Sequence, residues 1–331
     1  MRALICRQWG DLDTLEIADI AAPVPAADQV LITVAATAVN YADAIMVSGN
    51  YQTKPPLPFA PGLETVGTVA ACGDAVTRFK PGDRVMALLH YGGLAEQAVA
   101  DEHDCWLVPA GMDDSDAAAF PIAYLSSDVA LRWQGRLADG ETLLVLGSAG
   151  GVGLTAVEIG KAMGATVIAG ASSAARVAIA REHGADAGID YSTADLKAEV
   201  MALTDGRGAD VCFDPIGGDL FDAALSSLGW GGRYVHVGFV GGVPQVPANR
   251  LLVKHRAALG SSLRYFRWYA QDKLQCSMGA LLGWYAQGKL KPLVTHRLPL
   301  ERGTEAIELL TQRRAHGRIL VVPSLTTAGD A

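Results

Sequence analysis

The sequence predicts a two-domain α/β chain, with a strand-rich, barrel-like N-terminal domain and a doubly wound parallel sheet. Three observations carry this reading. The apolar run Leu143-Leu144-Val145-Leu146 passes directly into Gly147-Ser148-Ala149-Gly150-Gly151-Val152-Gly153 and then into a helix-patterned stretch. From residue 142 onward, strand-like and helical runs alternate, as crossover connections of a parallel sheet require. Residues 1–120 instead read as all-β, with short strands punctuated by Pro and Gly. At 331 residues, half of them hydrophobic, the chain is long enough to bury two cores.

In the first region, Val30-Leu31-Ile32-Thr33-Val34-Ala35 is β-branched and strand-like, and Gly62 to Val69 reads as a second strand. Between them, residues 51–61 hold four prolines and predict an ordered irregular loop. His90-Tyr91-Gly92-Gly93 reads as a mobile loop tip. Asp114-Ser115-Asp116 caps an alanine-rich helix, and 122–134 reads as a second helix leading into the next domain. Strands are then expected at 142–146, 165–169, 187–190, 209–214 and 232–238. Helices are expected at 151–163, 174–183, 194–203 and 218–228. The tail adds a strand at 256–262, a long helix at 273–287, an extended run at 294–298, a helix at 302–313 and a last strand at 318–322.

The glycines at 147, 150 and 153 have the spacing of a dinucleotide-binding turn. Such a turn needs a tight bend, a backbone that approaches pyrophosphate closely, and close helix–strand packing. The helix N-terminus then offers unpaired N–H groups and partial positive charge to phosphate. Its position between a strand and a helix is the context that makes the motif informative.

Composition excludes several classes. Net charge is −8 with no Lys/Arg block, which disfavours nucleic acid or an anionic membrane as partner. The five cysteines are scattered and never in CxxC spacing, against a disulfide framework or a zinc ribbon and consistent with a reducing cytoplasm. No run of 18 apolar, charge-free residues is present, and the strand-like run at the N-terminus leads us to expect no signal peptide.

Several segments taken together resemble the medium-chain dehydrogenase/reductase superfamily, and within it the zinc-free NADPH:quinone oxidoreductases. They are Asn40-Tyr41-Ala42-Asp43, Pro61-Gly62-Leu63-Glu64, Gly82-Asp83-Arg84-Val85, the 147–153 loop, Asp214-Pro215-Ile216-Gly217-Gly218, Gly231-Gly232-Arg233, Pro247-Ala248-Asn249-Arg250 and Gly317-Arg318-Ile319-Leu320. The resemblance implies a GroES-like β-barrel catalytic domain over 1–123, completed by 260–331. It also implies a Rossmann NADPH-binding domain over 124–259, an active site in the cleft between the domains, and a homodimer.

Zinc-dependent relatives carry a cysteine after the first barrel strands and a histidine just before the glutamate. Here those places hold Asn40 and Leu63, neither of which suits Zn²⁺. Glu64 reads as a half-buried carboxylate tied to backbone or Arg, and no metal is expected. For the cofactor, an NAD site places Asp or Glu at the end of the second strand. Gly170-Ala171-Ser172-Ser173-Ala174-Ala175-Arg176 has no acid. Ser172, Ser173 and Arg176 are suited to a 2′-phosphate, which favours NADPH, although either serine also suits a helix cap. By resemblance, Tyr191 and a C-terminal arginine, Arg314 or Arg318, also reach that phosphate.

By the same resemblance, Asn40 lies near the nicotinamide ribose and the substrate carbonyl with an amide that can donate. Ser126 matches a family threonine near the nicotinamide, and Gly238 and Phe239 pass along its carboxamide. Ala149, Gly150, Gly151 and Val152 complete the cofactor loop. Tyr41, Tyr51 and Tyr124 either donate a proton or wall the pocket, and quinone reduction can also draw its protons from water. His236 reads as a core histidine and Cys212 as a small apolar residue. The aromatic and basic run Arg264-Tyr265-Phe266-Arg267-Trp268-Tyr269 suits stacking of single-stranded nucleic acid, but fits better as lining of the substrate side or as a turn before the long helix. Its arginine pair would favour an anionic acceptor.

Three functions fit: an NADPH-dependent quinone reductase, a reductase of conjugated C=C bonds in enones or acyl-CoA thioesters, and a non-catalytic NADPH-binding protein.

Overall fold

The computed structural model describes residues 1–325, and the chain divides into two compact units, Met1–Ile122 with the segment from Pro292 on, and Ala123–Lys291. The first unit opens with strands β1 (Arg2–Cys6) and β2 (Leu15–Asp19), paired antiparallel. Strand β3 (Gln29–Ala38) is the long central strand, and helix α1 (Tyr41–Val47) follows it. Then come β4 (Glu64–Cys72), β5 (Arg84–Leu88), β6 (Gln97–Asp101), β7 (Cys105–Leu107) and helix α2 (Asp114–Ala119). The all-β expectation is corrected at α1, while α2 is the alanine-rich helix expected after Asp113. Helix α1 starts where Asn40 takes an extended conformation and donates its backbone N–H to Asp43 Oδ2 at 2.7 Å. That Asn-x-x-Asp spacing is an N-terminal capping signal. At α2 the cap is Asp113, whose Oδ1 accepts from Asp116 N at 2.8 Å.

Helix α3 (Pro121–Asp128) runs on as a π-helical segment, Val129–Gln134, and carries the chain into the second unit. There, strands β8 (Thr142–Leu146), β9 (Thr166–Ala171), β10 (Ala187–Asp190), β11 (Ala209–Asp214), β12 (Leu228–His236) and β13 (Ala257–Gly260) form a six-stranded sheet in the order β10-β9-β8-β11-β12-β13. Every pairing in it is parallel. All five residues of β8 are buried, as a strand covered by helices on both faces must be. Helices α4 (Gly151–Ala162), α5 (Ala174–Glu182), α6 (Leu196–Leu203), α7 (Leu220–Ser227) and α8 (Ala248–Val253) make the connections. The core between sheet and helices includes Leu144, Ile168, Val200, Phe221 and Leu225.

After β13 come α9 (Leu263–Tyr269) and α10 (Gln271–Ala286), then β14 (Val294–Pro299), α11 (Gly303–Thr311) and β15 (Arg318–Val322). The expected return to the first unit at residue 260 is corrected to Pro292. The physical reason is twofold. β13 adds a parallel strand to the edge of the nucleotide sheet, and α10 buries Leu274, Met278 and Leu281 in that unit. Trp133 Nε1 also donates to Ser277 Oγ on α10 at 3.0 Å. The returning strands then extend the first unit's sheet to the order β14-β15-β3-β4-β5-β7, with β6 also paired to β3. No helix among the described residues is long and apolar enough to cross a membrane.

Candidate active site

In the second unit, β8 delivers the chain to Gly147, whose φ of +59° lies where a Cβ is strongly disfavoured. Gly150 N donates to Gly147 O at 2.9 Å and closes the turn. A Cβ on Gly153 would sit 2.1 Å from Gly147 O, so only glycine lets α4 approach the turn this closely. Gly150 is the N-cap of α4, and the N–H groups of Gly151, Val152 and Gly153 head a helix with no intrahelical acceptor. Ser148 Oγ, beside Ala149 in the same turn, is buried with no hydrogen-bond partner. This cradle fits a pyrophosphate. Ser126 lies half-buried on α3, and its neighbour Ser127 bonds Val152 O at 2.8 Å, fixing α3 against the first turn of α4.

β9 ends at Ala171, and the next four positions are Ser172, Ser173, Ala174 and Ala175. Ser173 Oγ caps α5 by accepting from Arg176 N at 3.3 Å, and Arg176 Nη1 reaches Ser172 Oγ at 3.4 Å. Tyr191 closes the same edge through its N–H to Ala171 O at 3.0 Å. Ser172, Ser173, Arg176 and Tyr191 thus meet at the carboxyl end of β9, with Ser173 also serving the capping role. On the other side of the sheet, β12 stops at His236, short of the expected 238, and Gly238 and Phe239 continue beyond it. Phe239 is half exposed, with its ring tilted on His236 at 5.8 Å. His236 packs among Phe221, Tyr234 and Phe239, and burial lowers its pKa against the opposing pull of Asp214. Asp214 Oδ1 accepts from Ile216 N at 2.7 Å, and its Oδ2 accepts from Tyr234 OH at 2.6 Å. Cys212 is buried, and burial pushes its thiol pKa well up.

In the first unit, Asn40 is 7 % exposed and fully engaged. Its Nδ2 donates to Glu64 Oε1 at 2.9 Å and to Ala38 O at 3.2 Å, while its Oδ1 accepts from Arg318 Nη1 at 3.1 Å. Both amide protons expected to be available to an acceptor are engaged within the protein. Arg318 forms a buried ion pair with Glu64, so it is corrected from a 2′-phosphate ligand to an internal partner. Glu64 Oε2 also accepts from Ile122 N at 2.8 Å. Glu64 is tied to Arg and backbone as expected, but fully buried rather than half-buried. Burial pushes its pKa up, with the Arg318 charge opposing. Arg314 is exposed after α11.

Sequence reasoning assigned nothing to Asp43. It is fully buried, accepts from Asn40 N and from Gly62 N at 3.1 Å, and burial raises its pKa from 3.8 to about 7. Its spacing three residues after Asn40 was the available signal. Tyr41 is 40 % exposed at the first turn of α1, and Tyr51 packs at the edge of the Cys6, Met46, Phe59 and Leu63 cluster. Tyr124 is buried and donates to Glu158 Oε2 at 2.6 Å, which makes it an internal residue. The expected mobile tip at His90–Gly93 is pinned instead. Gly92 N donates to Ala60 O at 2.8 Å, Gly93 N to Gly62 O at 3.0 Å and Leu94 N to Pro61 O at 2.9 Å.

The zinc positions of relatives hold an amide locked in hydrogen bonds and an apolar Leu63, a donor set that does not suit zinc. Among the described residues, His90, Asp101 and Asp104 bring one potential ligand atom each within 4.8 Å of one another. Asp101 is already held by His90 Nε2 at 3.1 Å and Gln29 Nε2 at 2.8 Å, and the His90 hydrogen bond keeps its carboxyl well below the usual range.

Residues 26–110 match the alcohol dehydrogenase GroES-like domain family, and residues 151–278 match the zinc-binding dehydrogenase family. The chain is 35 % identical over 324 residues to rat (Rattus norvegicus) quinone oxidoreductase-like protein 2, covering 97 % of this chain and 91 % of that protein. It is similar to the quinone oxidoreductase of Pseudomonas syringae pv. tomato, with 30 % identity, a TM-score of 0.91 and coverage of 97 % and 99 %. It is also similar to the NADPH complex of Escherichia coli quinone oxidoreductase, with 27 % identity, a TM-score of 0.91 and coverage of 98 % and 100 %. A six-stranded parallel sheet with a glycine cradle, a GroES-like partner unit and these full-length likenesses make one conclusion: the chain is an oxidoreductase of the quinone oxidoreductase family, within the medium-chain dehydrogenase/reductase superfamily.

Proposed function

We propose that the protein is a zinc-independent, NADPH-dependent reductase whose acceptor is a quinone. The observation that carries this is the carboxyl end of β9, where Ser172, Ser173 and Arg176 replace the acid that a ribose 2′-hydroxyl requires. An arginine and two hydroxyls suit a phosphate through charge-assisted hydrogen bonds. The NADPH complex of the Escherichia coli relative supports the same reading.

The chemistry a bound NADPH supplies is two-electron reduction, in which quinone, NADPH and one solvent proton give hydroquinone and NADP⁺. The residues of this chain bind and orient. The turn at Gly147 and the first N–H groups of α4 would hold the pyrophosphate, and Ser172, Ser173, Arg176 and Tyr191 would hold the adenosine end. Ser126, Gly238 and Phe239 would hold the nicotinamide end. Asn40 acts indirectly, by bridging Glu64 and Arg318 and so fixing the turn between β3 and α1. Tyr41, half exposed on α1, and Tyr51 would wall the acceptor's side of the site. No dedicated acid is needed, because water can protonate the product. A homodimer belongs to the same reading, and the mass in solution tests it.

The test is NADPH oxidation, with chelator present, against a panel of quinones, enones and acyl-CoA thioesters. Turnover of quinones well above the others is expected. Turnover of enones or thioesters alone would move the reading to C=C reduction, and no turnover with NADPH bound would point to a non-catalytic role.

A further inference from the structure

β13 ends at Gly260, and Ser261 N donates to His236 O at 2.9 Å, so the next segment springs from the carboxyl edge of the nucleotide sheet. Ligands of open parallel sheets bind outside that edge. The segment forms its own helix, α9, rather than a turn. It docks through Phe266, which is buried, and turns Arg264, Tyr265, Trp268 and Tyr269 outward on two adjacent i, i+4 columns. Tyr265, Trp268 and Tyr269 are 53 %, 46 % and 78 % exposed. Their rings contact one another, Tyr265 stacked on Tyr269 at 6.0 Å and Trp268 edge-on to Tyr265 at 5.7 Å. The Arg264 guanidinium lies 4.1 Å from the Trp268 ring centroid. Among the described residues, Arg264 has no carboxylate partner.

Three exposed aromatic rings beside an arginine without a counter-charge form a surface that water serves poorly. A flat ring carrying an anion answers both parts: the ring stacks on tyrosine, and the anion meets a guanidinium held in place by the indole. We infer that the outward face of α9 binds an anionic aromatic acceptor, of the sulfonated naphthoquinone type, in preference to a neutral one. The inference rests on the quinone-reductase reading and adds the acceptor's charge and shape to it. In a protein of net charge −8, this local positive group acts over a Debye length of about 8–10 Å at moderate salt.

The experiment has two arms, both with NADPH saturating so that the nucleotide loop is filled. In the first, kcat/KM is measured for 1,2-naphthoquinone-4-sulfonate and for 1,2-naphthoquinone across ionic strength. In the second, calorimetry compares redox-inert naphthalene-1-sulfonate with uncharged 1-naphthalenemethanol. The sulfonated member is expected to be favoured about fivefold at low salt in each arm, the scale of an exposed charge pair. Arg264→Ala should remove the preference, and Arg264→Glu should invert it. Trp268→Ala should weaken both inert probes. Equal affinity for the two inert probes in the wild type, or an unchanged preference in Arg264→Glu, would overturn the inference. So would a change of oligomeric mass in Arg264→Glu, which would assign the face to a second copy of the chain. If no quinone is turned over while the inert sulfonate still discriminates through Arg264, the surface stands and the quinone reading falls.

Discussion

Arg318 on β15 donates to Asn40 Oδ1 at 3.1 Å, and with Glu64 the two form a closed buried set at the turn between β3 and α1. The position where zinc-dependent relatives carry a cysteine thus holds an amide bonded to both members of a buried ion pair. Removing Arg318 leaves the Glu64 carboxylate buried without its counter-charge. Arg318→Met should therefore cost about 3–5 kcal/mol of stability, whereas Glu64→Gln with Arg318→Met should recover a large part of it. Denaturant unfolding of the single and double variants checks this, and additive losses would contradict it.

Asp43 and Glu64 are both buried, but only Glu64 pairs with Arg318, and burial lifts Asp43 from 3.8 to about 7. A raised acid pKa means that the folded state holds a proton the unfolded state has lost. Its contribution to stability is therefore full below pH 4 and falls as pH rises toward about 7. Asp43→Asn should be less stable at low pH, because Asn40 N or Gly62 N loses an acceptor. It should also show a flatter profile between pH 4 and 7. A wild-type slope of opposite sign over that window, after subtraction of the variant, would refute the assignment.

What was legible in the sequence was local. The glycine turn, the Ser173 cap and the alternation of β8 through β12 are set by neighbours a few residues apart, so spacing reveals them. The Asn40–Arg318 contact spans 278 positions, and no periodicity announces it. From sequence, Arg318 therefore stands beside Arg314 as a candidate phosphate ligand, and Asn40 as a donor. The return point slipped from 292 to 260 for a similar reason. α10 carries no sequence mark of the unit it packs on, and its contacts with Trp133 together with the pairing of β13 and β12 fix which unit owns it. Tyr124 was open between acid and wall until the buried Glu158 carboxylate appeared as its partner.

Gly153→Ala places a Cβ 2.1 Å from Gly147 O, which forces α4 away from the turn. NADPH affinity should fall by about two orders of magnitude, the equivalent of about 2.7 kcal/mol. Calorimetric titration of the folded variant measures it, and an unchanged affinity would remove the turn from the cofactor site.

Activity should survive exhaustive chelation, and elemental analysis should find no stoichiometric zinc. Asn40 is locked by Glu64 and Ala38 O, and Leu63 has no lone pair to offer. A tightly held zinc whose removal abolishes turnover would overturn the reading of both positions.

The central claim is that the end of β9 selects NADPH, and Arg176 tests it most directly. The measurement is kcat/KM for NADPH and for NADH, with one quinone acceptor, in the wild type and in Arg176→Ala. A lost charge-assisted contact of about 1.5–3 kcal/mol predicts a tenfold to hundredfold fall in kcat/KM for NADPH, about that of the interaction itself, with little change for NADH. A wild type that prefers NADH, or a variant that loses both cofactors equally, would contradict the account.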